Sequence, residues 1–409
     1  MANKKDSMNL AFIGLGQRGP YLVSMVVDAM PDVNVTALCD VYQDRRENVA
    51  AMVESKRGVR PFVTDDYTQI LTRSDVDCVI VSSSWHTHIP ICLEAMNAGK
   101  PVASEVGGAY DPEQCWDLVR TYERTRTPVM LLENCCYGRE EMTILNMVHK
   151  GLFGELVHAE GGYQHDLRDE VSLGHEIRHY RLDEYMHRNG EIYPTHELGP
   201  IAKWLDINRG NRMLTLTSMS SKARGLNDWI HTHRGNDFEN ADFHFTQGDV
   251  VTTMIKCARG ETIVLTHDTT LPRPYSRGGR LQGTRGIWSE DKHGVLIEGR
   301  TVSTCWAHNW DDLSKYYDEF EPDLWKEYRA AGVVPGHDGI DYLVFRGLIE
   351  SLRDGLPLPI DVYDMAAWMV VTALSEQSIA MGSMPVPVPD FTKGAWIRRG
   401  RDTSSKYSL

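Results

Sequence analysis

Cysteine and long apolar runs are both scarce in this sequence, and each shortage excludes a class of protein. Only eight cysteines occur among 409 residues, and none forms a CxxC pair. This usage predicts neither a disulfide framework nor a zinc site, so we expect a reducing compartment and no bound metal. The most apolar stretches, 79–81 and 365–374, are much shorter than the roughly 20 residues that span a bilayer, which excludes a transmembrane helix. Residues 1–7 contain no signal-peptide core, and we therefore expect a cytoplasmic protein.

Positive charge is also in short supply. The chain has 43 lysines and arginines against 57 aspartates and glutamates, which leaves a net charge of −14. This balance argues against a protein that binds the phosphate backbone of nucleic acids, and nothing indicates a membrane partner. Charged residues make up 24% of the chain, an ordinary share for a globular protein, and the length predicts about two or three domains.

The first third of the sequence alternates short apolar runs with helical patterns. The run at 76–82 is continuously apolar, as are strands buried on both faces of a parallel sheet. The segment 89–98 is amphipathic and is followed by Gly99, a residue type that commonly ends helices. Such alternation predicts parallel βαβ units. We predict strands at 10–14, 34–40, 76–82, 101–105 and 128–132, and helices at 20–29, 45–56, 89–98 and 112–124.

The pattern changes after about residue 132. Strand-like runs follow one another, with turns such as Arg259-Gly260 between them, which is typical of antiparallel hairpins. We therefore predict an α/β Rossmann domain at 1–135, followed at 136–409 by an α+β domain with a mainly antiparallel open sheet. A helix predicted at 362–381 is a candidate to pack back onto the first domain. The other predicted elements are strands at 156–163, 214–220, 249–258, 262–270, 279–284 and 295–298 and helices at 142–150 and 340–353.

A glycine-rich turn between the first strand and the first helix carries a strong motif. Gly14 permits the tight turn, Gly16 lets a pyrophosphate approach the backbone, and Gly19 lets the helix pack closely on the strand. Asp40 lies 21 residues beyond Gly19, at the end of the second predicted strand. A carboxylate there accepts ribose hydroxyls and repels a 2′-phosphate, so the motif predicts NAD as the cofactor. The loop residues expected beside the phosphates are Gln17 and Arg18.

Polar clusters follow three further strands of the predicted sheet. Ligands of open α/β sheets bind at the carboxyl ends of the strands, so we expect these clusters to contact the cofactor. For any single histidine among them, a surface loop position or a helix cap is an equally good interpretation. The clusters are Trp85-His86-Thr87-His88, Glu105-Val106 and Glu133-Asn134.

Residues 8–135 resemble the Gfo/Idh/MocA oxidoreductases. The resemblance rests on GLGQRG at 14–19, on Asp40 and on SSSWHTHIPICLEAMNAGKPVASE at 82–105. Ordinary members of that family carry Glu-Lys-Pro at the end of this last strand, and the lysine assists proton transfer during alcohol oxidation. Here the tripeptide is Glu105-Val106-Gly107, so the lysine is absent and a plain sugar dehydrogenase is disfavoured.

Nearly the whole chain resembles one branch of that superfamily, the NAD-dependent glycoside hydrolases of family 109, known as α-N-acetylgalactosaminidases. The sequence departs from the usual pattern of this branch at Gly107, Glu197 and Asp338, and the last two add carboxylates near the expected pocket. The matching stretches include ENCCYGR at 133–139, NGEIYPTHELGPIAKWLDINRG at 189–210 and GDVVTTMIKCARGETIVLTHDTTLPRPYSRGGRLQGTRGIW at 248–288.

The resemblance implies a glycosidase that uses NAD in a redox-neutral cycle on terminal α-N-acetylgalactosaminides or related hexosides. The sugar is oxidised at C3, deprotonated at C2, loses its C1 substituent, adds water and is reduced again. The open sheet resembles those that pair face to face in this superfamily, which implies a homo-oligomer. The implied cofactor contacts are Gln17, Arg18, Asp40, Trp85, His86, Thr87, His88, Glu105, Val106 and Asn134. The implied sugar contacts are Tyr163, Arg181, Tyr193, Pro194, Thr195, His196 and Tyr275.

This chemistry needs one base for the 3-hydroxyl and another for C2–H. A histidine, with an ordinary pKa of about 6.5, can take a proton at neutral pH, whereas a tyrosine needs help from a partner. We take His196 as the principal acid–base group, Tyr163 and Tyr193 as proton-transfer or hydroxyl partners, and Arg181 as the residue that orients the sugar. In the alternative interpretation, His196 caps the following helix. Two other functions stay open: a net NAD-dependent sugar dehydrogenase and a catalytically silent NAD-binding sensor.

Two further groups of residues carry weaker hypotheses. His231 and His233 are two residues apart, a spacing that on a strand places both rings on one face, as metal ligands require. No third ligand is evident, so we expect a loop there. A set of arginines is expected on a solvated face, with binding of an anionic ligand as the alternative. These arginines are Arg273, Arg277, Arg280 and Arg285.

Overall fold

The computed structural model describes residues 7–302, 306 and 308–409. The first six residues, which belong to the predicted Rossmann domain and to the segment in which no signal-peptide core was predicted, lie outside the described residues. Two sheets organise the chain, one parallel and one mostly antiparallel. The predicted fold class, a Rossmann domain followed by a mainly antiparallel open sheet with helices, is confirmed.

The first sheet has six strands in the order β3-β2-β1-β4-β5-β6, and all of its pairs are parallel. Every residue of β4 is buried, which explains its unbroken apolar sequence. The strands are β1 Met8–Ile13, β2 Val33–Cys39, β3 Phe62–Thr64, β4 Cys78–Val81, β5 Val102–Ser104 and β6 Val129–Leu131. The helices between them are α1 Arg18–Ala29, α2 Gln43–Arg57, α3 Thr68–Leu71, α4 Trp85–Asn97 and α5 Pro112–Thr125.

The second sheet has nine strands in the order β14-β13-β12-β11-β7-β10-β9-β8-β15. The pair β7/β10 is parallel, and the remaining pairs are antiparallel. The strands are β7 Leu156–Gln164, β8 Met213–Ser220, β9 Val250–Cys257, β10 Thr262–Asp268, β11 Arg280–Gly283, β12 Gly286–Ser289, β13 Gly294–Ile297, β14 Asp311–Asp312 and β15 Val386–Pro387. The helices of this half are α6 Arg139–His149, α7 Arg168–Ser172, α8 Arg181–His187, α9 Thr195–Trp204, α10 Gly225–His233, α11 Tyr317–Phe320, α12 Asp323–Ala331, α13 Ile340–Asp354 and α14 Val362–Ala380.

One face of the second sheet is covered and the other is open. Along β9, Val251, Thr253 and Ile255 are buried, whereas Met254 between them is 51% exposed. This alternation is typical of an antiparallel sheet with one face toward the core and the other toward solvent. Among the described helices, none is both long and apolar enough to cross a bilayer.

Helix α14 packs between the two halves of the chain, of which the first ends with β6 and the second begins with α6. Its Met369 carbonyl oxygen accepts a hydrogen bond of 2.9 Å from the amide of Ala109, which follows β5. A Cβ on Gly108 would lie 2.0 Å from Thr372 Oγ1, so this contact requires glycine. On its other side, the Thr372 hydroxyl donates to the carbonyl oxygen of Glu191 at 2.8 Å. The helix therefore links the turn after β5 to the segment that precedes α9.

Several predicted boundaries are wrong. Helix α4 begins at Trp85, four residues before the predicted start. His231 and His233 lie in the last turn of α10, so the predicted loop there is wrong as well. The short strands β3, β12, β14 and β15 were not predicted, because two to four residues carry too little alternation to identify a strand.

Candidate active site

A cavity of about 1110 Å³ lies between the carboxyl ends of the first sheet's strands and the second half of the chain. Pockets for small ligands measure about 300–1,000 Å³, so this cavity has room for a dinucleotide and a sugar together. The predicted site residues that line it are Gly14, Gly16, Gln17, Arg18, Asp40, Trp85, His86, Thr87, His88, Glu105, Val106, Asn134, Tyr163, Arg181, Tyr193, His196 and Tyr275.

Apart from the fully buried Glu133, three predicted site residues are not part of the cavity wall: Gly19, Pro194 and Thr195. A Cβ on Gly19 would lie 2.1 Å from the Gly14 carbonyl oxygen, so this glycine permits close packing of α1 on the turn. Pro194 precedes α9, and Thr195 is fully buried in its first turn. In this structure these residues shape the backbone that positions their neighbours.

The glycine-rich turn requires glycine at its first position. Gly14 has a φ of +96°, and a Cβ there would lie 2.3 Å from the Ser83 nitrogen, so a larger residue does not fit. Helix α1 begins at Arg18 without a side-chain cap among the described residues. Its first N–H groups are therefore available to an anion, as the pyrophosphate of NAD requires.

Asp40 is fixed at the end of β2 by two backbone donors. Its Oδ2 accepts from the Leu15 amide at 2.6 Å, and its Oδ1 accepts from the Tyr42 amide at 2.9 Å. Each carboxylate oxygen has a further lone pair, so both can still accept a ribose hydroxyl. The predicted position of this carboxylate therefore fits NAD.

A segment of the second half, residues 174–181, covers the cavity near Asp40. The Arg45 guanidinium donates to the Arg178 carbonyl oxygen at 3.0 Å, and Arg178 forms an ion pair of 2.6 Å with Asp44. Both guanidinium groups lie over the Tyr42 ring, at 4.6 and 4.5 Å from its centroid. No motif or spacing predicts these contacts, because they join positions more than 130 residues apart.

Arg18 is held by carboxylates from both halves of the chain. Its Nε donates to Glu105 at 2.8 Å, and its two Nη atoms donate to Asp341 at 2.9 and 2.5 Å. Asp341 also accepts from Asn134 at 2.8 Å and pairs with His337 at 2.7 Å. Burial opposes its ionisation, but the hydrogen bonds from His337 and Arg18 hold the pKa of Asp341 well below its usual range. Sequence analysis missed Asp341 and His337, which no spacing links to the glycine-rich turn.

The residues Trp85 to His88 form the first turn of α4 rather than a loop before it. His88 is buried, and its Nε2 bonds to the Ser83 carbonyl oxygen at 2.9 Å. Burial lowers the pKa of His88 to about 4, so this ring is neutral at physiological pH. The Trp85 ring packs on Tyr193, with 5.3 Å between the ring centroids. This turn therefore forms a wall of the cavity and contacts the tyrosine cluster.

Tyr193, His196 and Glu133 form one chain of hydrogen bonds. His196 Nδ1 lies 2.9 Å from Glu133 Oε1, and His196 Nε2 lies 3.3 Å from the Tyr193 hydroxyl. Burial would raise the pKa of Glu133, but His196 and several hydrogen bonds outweigh it and hold that pKa below its ordinary value. An ionised Glu133 keeps a proton on Nδ1 and leaves Nε2 directed toward Tyr193. His196 does not cap α9, contrary to the alternative interpretation.

Tyr163 lies at the end of β7, against the same group of rings. Its ring centroid is 4.4 Å from that of Tyr193 and 5.5 Å from that of His196. Its hydroxyl lies 3.0 Å from His165 Nδ1, and His165 also lines the cavity. Sequence analysis missed His165, although residues two apart on a strand share a face and this spacing could have identified it.

Arg181 extends the tyrosine cluster with a buried cation. Its guanidinium lies over the rings of Trp85 and Tyr193, at 5.4 and 5.5 Å from their centroids. Nη1 donates to Glu170 at 2.9 Å, whereas the buried Nε has no hydrogen-bond partner among the described residues. This arrangement leaves one charged donor available to a ligand oxygen.

Arg277 is buried in the cavity wall, so its predicted place on a solvated face is wrong. It contacts Glu141 directly, Glu290 at 3.3 Å and Glu197 at 3.6 Å. Burial raises the pKa of Glu141 to about 7. Tyr275, two residues before Arg277, is 50% exposed at the rim of the cavity. Because carboxylates surround Arg277, its charge is not free to bind an anionic ligand.

Glu133, Cys135 and His196 bring three atoms of metal-ligand type within 4.8 Å of one another. Sequence analysis did not identify this group. Two of the three are already joined by the His196–Glu133 hydrogen bond. The Arg277 guanidinium lies 3.5 Å from the Cys135 sulfur, and its positive charge opposes a cation there. The existing hydrogen bond and this positive charge both disfavour a metal ion between these three atoms.

Comparison with known proteins identifies two family models along the chain. The NAD-binding Rossmann fold of the oxidoreductase family matches residues 8–132, and the C-terminal domain of glycosyl hydrolase 109 matches residues 137–398. A protein from Tannerella forsythia named alpha-N-acetylgalactosaminidase is 40% identical over 422 residues, which cover 97% of this chain and 89% of that protein.

Solved structures share the fold at low identity. An NAD binding oxidoreductase from Klebsiella pneumoniae has a TM-score of 0.70 at 15% identity, over 94% of this chain and 99% of that chain. Levoglucosan dehydrogenase, solved in complex with NADH and levoglucosan, has a TM-score of 0.69 at 15% identity, over 94% and 100%. The two family models and the relative from Tannerella forsythia place the chain in glycosyl hydrolase family 109, as an NAD-dependent glycoside hydrolase.

Proposed function

We propose that the protein hydrolyses terminal α-N-acetylgalactosaminides, or a closely related hexoside, by a redox-neutral cycle. The observation that carries the proposal is the cluster of Tyr163, Tyr193 and His196, which lines the same cavity as the glycine-rich turn. Acid–base groups therefore lie beside the expected dinucleotide site. The name of the Tannerella forsythia relative supports the choice of sugar.

When bound, NAD accepts a hydride from C3 of the sugar and later returns it. In our proposal His196 takes the proton of the 3-hydroxyl at Nε2, directly or through the Tyr193 hydroxyl, because Glu133 occupies its other nitrogen. The Nε of Arg181 donates to a sugar oxygen and holds the ring in place.

The ketone at C3 makes the neighbouring C2–H acidic. A second base removes this proton, the C–H electrons form an enolate, and the substituent leaves C1. Water then adds its hydroxyl at C1 and its proton goes to the leaving oxygen, while C2 regains its own proton, so atoms and electrons balance over the cycle. Tyr163 lies beside the first acid–base pair and is the second group that we assign to proton transfer.

Aryl glycosides test the proposal without added cofactor. We expect an aryl α-N-acetylgalactosaminide to release phenol over many turnovers with no net accumulation of NADH. The matching β-anomer and the galactoside without an N-acetyl group serve as specificity controls. Stoichiometric NADH formation on addition of NAD⁺, without phenol release, would instead support a sugar dehydrogenase. Bound NAD with neither signal would support a silent sensor.

We also propose that the protein forms a homo-oligomer through the open face of the second sheet. Met219 on β8 and Met254 on β9 are 66% and 51% exposed on this face. Solvent-exposed apolar side chains in a group favour association. Light scattering should give a smaller mass for Met254→Glu, whereas Val59→Glu, an exposed position outside this sheet, should leave the mass unchanged.

We propose a cytoplasmic location as well. All seven cysteines that the structure describes are free and buried thiols, as expected in a reducing compartment. Fractionation of the source cells with antibody detection tests this location, and recovery with secreted or periplasmic marker proteins would contradict it.

A further inference from the structure

We propose that His165 is the positioning residue that lets Tyr163 act as the base for the C2 proton, an inference that rests on the proposed function. Two proton transfers are needed at the sugar, one at the 3-hydroxyl and one at C2. The chain of Tyr193, His196 and Glu133 supplies one of them. The pair of Tyr163 and His165 is a second, separate hydrogen-bonded unit in the same cavity wall.

The backbone holds this pair in place. Tyr163 and His165 lie two residues apart at the end of β7, so their side chains project to the same side. Between them, the Gln164 amide donates to Ser276 at 3.1 Å, and the Ser276 amide donates back to Gln164 at 2.9 Å. The His165 amide donates to the Asp268 carbonyl oxygen at 2.9 Å. Residues 163–165 are thus tied to the strand β10 and to the segment after it.

A neutral phenol cannot keep an additional proton, so Tyr163 needs a group that removes its own. His165 Nδ1 lies 3.0 Å from the hydroxyl oxygen and has a lone pair when the ring is neutral. As the C2–H bond breaks, its electrons pass to the C3 carbonyl and form the enolate. The C2 proton goes to the Tyr163 oxygen, and the phenol proton goes to His165 Nδ1. The reverse transfers return a proton to C2, so no co-reactant is needed.

The surroundings favour this resting arrangement. Burial raises the pKa of Tyr163, while burial and the Arg181 charge lower the pKa of His165. At neutral pH the proton therefore rests on the tyrosine, and the imidazole is free to accept it. Arg181 also favours negative charge on the Tyr163 oxygen, although burial outweighs this effect at rest. The Tyr275 ring packs against His165, with 5.0 Å between the centroids, and limits rotation of the imidazole.

The test measures oxidation at C3 and proton removal at C2 separately, in the protein isolated with its cofactor. The protein is incubated with N-acetylgalactosamine in D₂O. Absorbance of reduced nicotinamide reports oxidation at C3, and deuterium at C2 of the recovered sugar reports proton removal there. The main variant is His165→Asn, which keeps a polar atom near Tyr163 but has no basic nitrogen. The matched control is Asp166→Asn, since Asp166 pairs with Arg168 and lies outside the cavity wall.

The wild type and Asp166→Asn should show both signals. In His165→Asn, nicotinamide reduction should persist while C2 exchange falls by about tenfold or more, toward the hundredfold typical of a lost acid–base group. Unchanged exchange, or a parallel loss of both signals, would overturn the inference and leave the proposed function standing. Absence of both signals in the wild type would instead contradict the proposed function. Should His165→Asn melt early or lose its cofactor, His165→Gln is judged by the same two readouts.

Discussion

Replacing His196 with asparagine should separate catalysis from folding at this site. The asparagine amide nitrogen can occupy the place of His196 Nδ1 and donate to Glu133 Oε1, a contact that measures 2.9 Å in the native protein. The variant has no counterpart of Nε2, which lies 3.3 Å from the Tyr193 hydroxyl. The substitution therefore keeps the buried hydrogen bond and removes the acid–base atom.

The expected loss follows from the chemistry of that atom. Removal of a general acid–base group lowers turnover about a hundredfold or more, which corresponds to about 2.7 kcal/mol in the activation free energy. His196→Ala should lose as much activity and also some stability. It removes the hydrogen-bond partner that His196 Nδ1 provides to Glu133, which is 0% exposed, and loss of a partner at a buried polar group costs about 1–3 kcal/mol.

Three measurements on the same samples test this reasoning: turnover on an aryl glycoside, NAD content after denaturation, and melting temperature. His196→Asn should lose turnover while it keeps NAD and a melting temperature near that of the wild type, and His196→Ala should melt earlier. His233→Asn, at the end of α10 and outside the cavity wall, should match the wild type in all three. Normal turnover in His196→Asn would refute the catalytic role, and a native melting temperature in His196→Ala would refute the pairing with Glu133.

Four further outcomes are expected. Gly14→Ala should abolish NAD binding in a titration, because its Cβ would lie 2.3 Å from the Ser83 nitrogen. Asp40→Ala should weaken NAD binding and relax the discrimination against NADP, as competition between the two cofactors would show. Substrate deuterated at C2 should lose label to solvent or react more slowly, and full retention would exclude an elimination route. Burial raises the pKa of Glu191 from 4.5 to about 8, so the folded chain keeps a proton that the unfolded chain has lost, and stability should decline as the pH rises from 4.5 to 8. Glu191→Gln should flatten that decline in melting temperature.

The features predicted well from the sequence are those with local causes. The glycine-rich turn, the apolar run of β4 and the acid at the end of β2 each lie within one short segment. Such segments determine the parallel sheet and the NAD site without reference to the rest of the chain. The division of the chain at residue 135 stays a prediction, although the two matched family models meet between residues 132 and 137.

The features that were missed depend on contacts between distant segments. Asp341 reaches Arg18 across more than 300 residues, and Arg277 is buried because Glu141 and Glu197 surround it. Neither contact is marked in the sequence by a periodic pattern or by a motif with a fixed spacing. The start of α4 was missed for a different reason. This helix contains Pro90, and a proline is commonly found in the first turn of a helix rather than within it.

The position of the acid–base groups explains why the two halves must be held together. The lysine that ordinary Gfo/Idh/MocA oxidoreductases carry is replaced by Val106, which is buried and has no proton to transfer. In the proposed mechanism, proton transfer then depends on residues of β7 and α9, in the other half of the chain from the glycine-rich turn. The ion pair of Arg18 with Asp341 and the hydrogen bond from Ala109 to α14 both cross between these halves. These links fix the proposed bases relative to the cofactor site, as the proposed cycle, which removes and returns the same hydride, requires.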